Sequence, residues 1–440
     1  MKNKQTYEQK FRRIAAQVQL AALPEAEQAF LREKSYQHRL TLQELRQIVE
    51  MALDFATWNE TSIREVWPND DLSPKLAGKA AKAKVIERIR RHWDALKQAA
   101  NCYRNVGPSI KPPTQKSVLV RREKEKLGLG YCPVASLKTR CCNLMTLDTV
   151  ENCGFDCSYC SIQSFYHGSR VYFDPRFAEK LNALQIDPDR VYHIGTGQSS
   201  DSLLWGNKYG TLDALTDFAR RHPNVILEMK TKSKNVSYFL KHEIPKNIIC
   251  TWSLNTPTII TYEEHLTASL QDRLGAARKV ADRGILVGFH FHPMVHYDAW
   301  KQDYSEIFEM IQKRFDPLEV ALVSLGTLTF TKPVIRQIRT RQFQSKILQM
   351  PLVDAGGKLS YPEETKLEMF RHAYDCFQSW HNEVFFYLCM ENNRLWKPVF
   401  GYEYPSNAAL EAAMKSSYME KIRQTKAGRS SASRTSYGVA

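Results

Sequence analysis

A chain of 440 residues, 43% hydrophobic, can bury one large core with an appended unit. Lysine and arginine exceed aspartate and glutamate by 62 to 47, and that surplus favours an anionic partner, with nucleic acid the usual one. The first thirty residues carry Lys, Arg, Glu and Gln throughout with no apolar signal core, and no stretch approaches eighteen apolar residues, so neither a signal peptide nor a membrane span is expected.

Residues 1–115 read as a helical N-terminal extension. Thr41-Leu-Gln-Glu44 has capping-box form, and Leu45, Ile48, Val49, Ala52, Leu53 and Ala56 follow at helical spacing. A second helix carries Val85, Ile86, Ile89, Trp93 and Leu96 on one face and Lys84, Arg88, Arg90 and Arg91 around the rest. Such stripes suit packing on the main domain better than a separate binding module, although the basic face could contact phosphates. Pro68, Pro74 and Pro112-Pro113 punctuate the segment. Arg121 to Lys126 is a mixed-charge run and reads as a solvated face. Cys132 and the vicinal pair Cys141-Cys142 read as core or near-cluster thiols, because adjacent cysteines chelate metal poorly.

Leu144 to Val150 is strand-like, and Cys153-Gly-Phe-Asp-Cys157-Ser-Tyr-Cys160 follows it at once. Closed zinc sites need four ligands, usually as two separated pairs, and no second C-x2-C pair exists in the chain. Three thiolates on a 4Fe–4S cluster leave one iron open. An open iron can bind S-adenosylmethionine and cleave it to a 5′-deoxyadenosyl radical; C-x3-C-x2-C with an aromatic before the last cysteine is the radical-SAM signature. The alternatives are buried structural cysteines or a zinc knuckle with a distant fourth ligand. Cluster thiolates in so long a chain also point to a reduced, cytoplasmic compartment.

Downstream, strands and helices alternate. Strands are expected at Val191–Gly195, Val225–Met229, Ile248–Leu254, Ile285–Phe291 and Val320–Leu325. A helix is expected at Ser269–Arg283, where Leu270, Leu274, Ala277 and Ala281 recur. The predicted fold class is α/β, a partial (β/α)6 barrel at residues 116–340, with an N-terminal helical extension and a C-terminal α/β extension at 341–415. Chemistry in such barrels sits at the C-terminal strand ends, where the cysteines fall. His290, His292 and His296 are placed on one face at the end of the fifth strand, as lining of the substrate mouth rather than metal ligands. Cys250 lies inside a strand, and Cys389 in the apolar run Phe385–Met390.

From about Leu144 to Arg339 the chain resembles the spore photoproduct lyase family of radical-SAM enzymes. The resemblance rests on CGFDCSYCSIQSFYHGSRVY, Ser199–Asp201, MKTKS at Met229–Ser233 and WSLN at Trp252–Asn255. It extends through Arg273–Gly284, HPMVHYDAW at His292–Trp300 and FTKP at Phe330–Pro333. It implies a 4Fe–4S cluster on Cys153, Cys157 and Cys160, and S-adenosylmethionine held by Ser200, Lys232 and Ser253. Lys232 would pair with the methionine carboxylate, and Asp201 would be structural. It also implies a thymine–thymine lesion in DNA as substrate and a reductant such as a flavodoxin or ferredoxin. Two positions depart from the family. Gln198 stands where a cysteine returns hydrogen to the product, and Ser161 where a relay tyrosine follows the last cluster cysteine. Tyr159 is kept, and Tyr159 or Cys389 becomes the candidate donor. A radical enzyme acting on RNA or a metabolite, or a non-catalytic iron–sulfur nucleic-acid binder, are the other readings.

Beyond Arg339 the resemblance fades. Gly356 to Tyr361 faintly matches the family's lesion-touching hairpin, a helix is expected at Glu363–Trp380, and residues 416–440 read as a disordered basic tail.

Overall fold

The computed structural model describes residues 6–68, 79–99, 101–103, 117–132, 139–165, 168–341 and 344–432. Pro74, the Pro112-Pro113 pair, Tyr166 and His167 lie outside them. The chain forms two compact units. One comprises residues 1–112, 158–164 and 329–361, and the other 113–157, 165–328 and 362–440.

The first unit is built on the helices Tyr7–Ala15, Glu25–His38, Leu42–Trp58, Ile63–Val66 and Lys79–Gln98. The capping box forms: Glu44 N–H donates to Thr41 Oγ1 at 3.3 Å, and Thr41 N–H to the Glu44 carboxylate at 2.7 Å. Leu45, Ile48, Val49, Ala52 and Leu53 are buried, and Ala56 is exposed. Val85, Ile86 and Ile89 are buried, while Trp93 stacks on Trp58 and donates to Asp54 at 2.9 Å. Both stripes therefore find their partners inside this unit. Asp54 also receives Arg339 of the helix Lys332–Arg339 at 2.7 and 2.8 Å, which ties residues 329–361 to the N-terminal helices. Arg90 and Arg91 of the basic face are engaged by Gln47 and Glu87. The Gly356 segment is a real hairpin. Val353–Asp354 pairs with Leu359–Ser360 across Gly356 and Gly357, both at positive φ, where the Asp354 carboxylate accepts their N–H groups.

The second unit contains an eight-stranded sheet of β1 (Leu129–Tyr131), β2 (Met145–Leu147), β3 (Tyr192–Thr196) and β4 (Val225–Thr231), continued by β5 (Ile248–Ser253), β6 (Leu286–Met294), β7 (Val320–Thr327) and β8 (Phe385–Leu388). Spatial order follows chain order, and every neighbouring pair is parallel except β1 with β2. Helices such as Thr211–Arg221, Leu270–Asp282, Trp300–Arg314 and Glu363–Cys376 connect the parallel strands. Strands β5 and β7 are buried at every position, as sheets covered on both faces are. The predicted partial barrel is present with one addition. The run assigned to a C-terminal extension supplies a seventh parallel strand, β8, paired to β7. The expected first strand is divided: Met145–Leu147 joins this sheet, and Val150–Glu151 joins a small one with Arg170–Phe173 and Val118–Arg121. Glu151 of that small sheet pairs with Arg122 and Lys124, two members of the mixed-charge run.

The basic tail differs from expectation. A helix runs Asn407–Ala432, so residues 416–432 are ordered helix; 433–440 lie outside the described residues. Leu410, Met414, Tyr418 and Ile422 recur every four residues and are buried, and this apolar stripe outweighs the serine- and lysine-rich composition. Tyr418 meets His193 and Phe385 edge-on, and Lys421 donates to the carbonyls of Pro317 and Val320. No helix among the described residues is long and apolar enough to cross a membrane.

Candidate functional site

The cysteine loop begins at Asn152, which takes the left-handed conformation (φ 68°). Its side-chain Oδ1 accepts Cys153 N–H at 2.8 Å, and its side-chain Nδ2 donates to Gly168 O and Arg170 O. Gly154 must be glycine, because a Cβ there would lie 2.8 Å from both Leu204 and Trp205. Phe155 N–H donates to Cys153 Sγ at 3.4 Å, a bond that favours a thiolate. Asp156–Cys157 pairs antiparallel with Glu264–His265, setting Glu264 opposite Cys157. Arg273 is wholly buried and holds that support in place. It donates to Glu264 at 2.6 Å, Thr267 at 2.7 Å, and the carbonyls of Ala268 and Ser253 at 2.9 Å. Cys157 is buried, and Cys153 and Cys160 are half-buried. Among the described residues no three His, Cys, Asp or Glu side chains are grouped so as to hold a metal ion. The donor chemistry of the loop, three soft thiols within eight residues, nevertheless suits an iron–sulfur cluster.

Strands β3, β4 and β5 end at the segments that carry Ser200, Lys232 and Ser253. Gly197 (φ 87°) makes the first turn, where a Cβ would lie 2.8 Å from Lys230 O and from Ser202 Oγ. Ser199 Oγ donates to Asp148 at 2.6 Å and to Val150 O at 2.9 Å. Asp201 is buried and accepts four hydrogen bonds: from Leu203 N and Leu204 N, from Thr231 Oγ1 at 2.7 Å and from Lys232 N at 2.7 Å. Its role is to lock the β3 turn to the end of β4. Burial raises its pKa while the four donors oppose that rise. Ser200 Oγ, beside it, is buried with no hydrogen-bond partner among the described residues. A buried hydroxyl left unpaired in so tightly bonded a turn fits a polar ligand such as S-adenosylmethionine. Ser253 is 3% exposed at the end of β5, with its carbonyl fixed by Arg273. Gln198 is half-buried just past β3. Tyr159 is half-buried within Ser158–Ser164. In the same stretch Gln163 donates to the carbonyls of Ser158 and Cys160 and accepts from Arg341.

Cys389 follows β8 directly, and its N–H donates to Leu325 O at 2.7 Å. Its backbone carbonyl lies against Gly326, as does His292: a Cβ on Gly326 would approach each at 3.1 Å. Burial holds the thiol above its ordinary range, although the nearby Lys230 charge pulls the other way, so Cys389 keeps its S–H bond.

The three histidines do not form one set. His296 lies beyond β6 with its ring against Trp300. His290 and His292 join a buried hydrogen-bonded row that the sequence reading missed. Glu228 meets His193 Nε2 at 2.9 Å, and its other oxygen meets His290 Nε2 at 2.7 Å and Thr251 Oγ1 at 2.9 Å. Ser324 Oγ lies 2.6 Å from His290 Nδ1 and 2.8 Å from His292 Nε2. A carboxylate only accepts, so both imidazoles donate to Glu228; His290 Nδ1 then accepts from Ser324, whose oxygen accepts from His292. Burial, reinforced by the charge on Lys230, pushes His290 down to about 4.

Histidine has an ordinary pKa near 6.5, so the unfolded chain binds more protons than the native one between about pH 4 and 6.5. This contribution to stability is fully present above that window and is lost as pH falls through it, at about 1.4 kcal/mol per pH unit. The urea midpoint should therefore fall more steeply between pH 6.5 and 4 in the wild type than in His290→Gln. Parallel pH profiles would contradict this. Glu228, the missed carboxylate at the centre of the row, had a signal: it is a charged residue inside the apolar run Val225–Met229.

The sequence model of the family described as spore photoproduct lyase matches residues 147–355. The spore photoproduct lyase of a Geobacillus species is 26% identical over 203 residues, covering 44% of this chain and 59% of that one. That of Clostridium acetobutylicum is 23% identical over 228 residues, covering 49% and 64%. The chain thus spans less than two thirds of either relative. Among solved structures, spore photoproduct lyase complexed with dinucleoside spore photoproduct is similar with a TM-score of 0.52 at 20% identity, covering 61% of this chain and 82% of that one. A cysteine-to-serine variant of the same lyase reaches 0.54 at 18% identity, covering 68% and 94%. The family model and both relatives point to a spore-photoproduct-lyase-like radical-SAM protein, and the solved structures share its fold.

Proposed function

We propose that this protein is a radical-SAM lyase that acts on a thymine-dimer lesion in DNA, with an altered hydrogen return. The observation that carries the reading is the orphaned Ser200 hydroxyl, clamped with Lys232 by Asp201 at the C-terminal edge of the sheet. Its support is the match to lyases of that name and to a solved lyase bound to AdoMet and dinucleoside spore photoproduct.

Cys153, Cys157 and Cys160 would hold three irons of a 4Fe–4S cluster, with the Phe155 N–H stabilising charge on Cys153 Sγ. Ser200, Lys232 and Ser253 would bind S-adenosylmethionine, the Lys232 ammonium taking the methionine carboxylate. Bound there, cluster and cofactor would supply the hydrogen-abstracting chemistry that opens the lesion. Gln198 lines the pocket and cannot give a hydrogen atom back, because its N–H bonds are too strong. Cys389, protonated at the end of β8, is the thiol that returns it, with Tyr159 the second candidate. The basic surplus would hold phosphates, and a base inside a duplex must be turned out to reach the radical. Electrons would come from a flavodoxin or ferredoxin in a reduced cytoplasm.

Anaerobically reconstituted protein should release 5′-deoxyadenosine faster with irradiated DNA carrying the lesion than with undamaged DNA, and Gln198→Cys should raise the yield of repaired thymine. Equal rates on both DNAs would remove the DNA lesion and leave RNA or a metabolite, the reading that the missing cysteine at position 198 favours. No cleavage at all would leave a non-catalytic nucleic-acid binder. Lys232→Ala should weaken S-adenosylmethionine binding by about 1.5–3 kcal/mol, the value of a charge-assisted bond. Calorimetry on cluster-loaded protein reads this directly, and an unchanged affinity would remove Lys232 from the cofactor site.

A further inference from the structure

Lys230 is half-buried, and the fold gives the fully buried lysines partners. Lys366 meets Glu391 at 2.6 Å, Lys346 meets Glu60 at 2.7 Å, and Lys421 donates to Val320 O at 2.8 Å. Lys230 differs. It lies on β4 two residues past Glu228, but both Glu228 oxygens are taken by His193, His290 and Thr251. Among the described residues Lys230 makes no ion pair and no side-chain hydrogen bond. Its electrostatic neighbours are Lys232, two residues on, the thiols of Cys389 and Cys132, and the carboxylate of Glu228. His290 and His292 feel both lysines and stay neutral. Two lysines thus share one end of the sheet, with the protonated Cys389 thiol and two neutral imidazoles near Lys230. Desolvating an ammonium that has no partner is unfavourable, and no carboxylate offsets it here.

We propose that Lys230 is an oxyanion-binding residue at the C-terminal end of β4, there to take a phosphate or carboxylate oxygen of the substrate. Lys232 serves the methionine carboxylate, and Lys230 supplies a second positive charge for a second anion. This rests on the proposed function for the identity of that anion, a phosphodiester bridging the two nucleosides of the lesion, but not for the existence of the site.

The test uses cluster-loaded wild type, Lys230→Met and Lys230→Arg. Without ligand, Lys230→Met should melt no lower than wild type, since a half-buried charge without a partner is gone. Millimolar inorganic phosphate should raise the melting temperature of wild type and Lys230→Arg more than that of Lys230→Met; equal rises in all three would overturn the site. Wild type should bind the phosphodiester-bridged lesion on the order of tenfold more tightly than the dinucleoside without phosphate, and Lys230→Met should lose that preference. If phosphate discriminates the variants but neither lesion binds, the oxyanion site stands and the DNA-lesion reading fails. If Lys230→Met weakens S-adenosylmethionine binding as Lys232→Ala does, Lys230 serves the cofactor and the proposal is wrong.

Discussion

Changing Cys153, Cys157 and Cys160 together to alanine will leave anaerobically reconstituted protein without its iron, about four atoms per chain when one cluster is bound. Cleavage of S-adenosylmethionine will disappear with it. Single changes will have nearly the same effect, because two thiolates cannot hold three corners. The fold should survive, since the Asn152 side-chain amide and the close packing at Gly154 set the loop. Iron and sulfide analysis beside a circular dichroism melt checks both statements. Full iron retention in the triple variant would end the assignment.

Arg273→Met should be the most destabilising single change in the barrel, by about 3–5 kcal/mol, because it removes the charged partner of a buried Glu264. Both side chains of the pair are at most 1% exposed. Arg273→Met with Glu264→Met should recover much of the loss, since an apolar pair needs no desolvated charge. Urea unfolding of the two singles and the double closes the cycle. Glu264 lies opposite Cys157, so Arg273→Met should also lower iron retention at temperatures where the chain is still folded. A single-variant cost below about 1 kcal/mol would show that the pair is not carrying the loop.

The parallel strands were legible because each is a short apolar run followed by a helical period, and the cysteine loop because its spacing has few chemical uses. Strand β8 was misplaced for a physical reason. Between β7 and β8 the chain makes an excursion, residues 329–361, that packs with the N-terminal helices, so the last βα step is interrupted in sequence. The helix through residue 432 was hidden by composition, although Tyr418 and Ile422 continue its stripe. Arg273 sits in a quoted motif, but its four hydrogen bonds join β5, a loop and the Glu264 strand, and no local pattern announces a long-range bridge. Glu228 and the two imidazoles on it are separated by 35 and 62 positions, so only the folded sheet brings them together.

The row His292–Ser324–His290–Glu228–His193 has a polarity. Every donor in it points toward one carboxylate, and each link is fixed by the next. A proton can hop along it only toward Glu228, and going on to the far end would need His193 to accept where it now donates. The row therefore works as an insulator: it spans the barrel interior with polar atoms yet gives protons no path between its two ends.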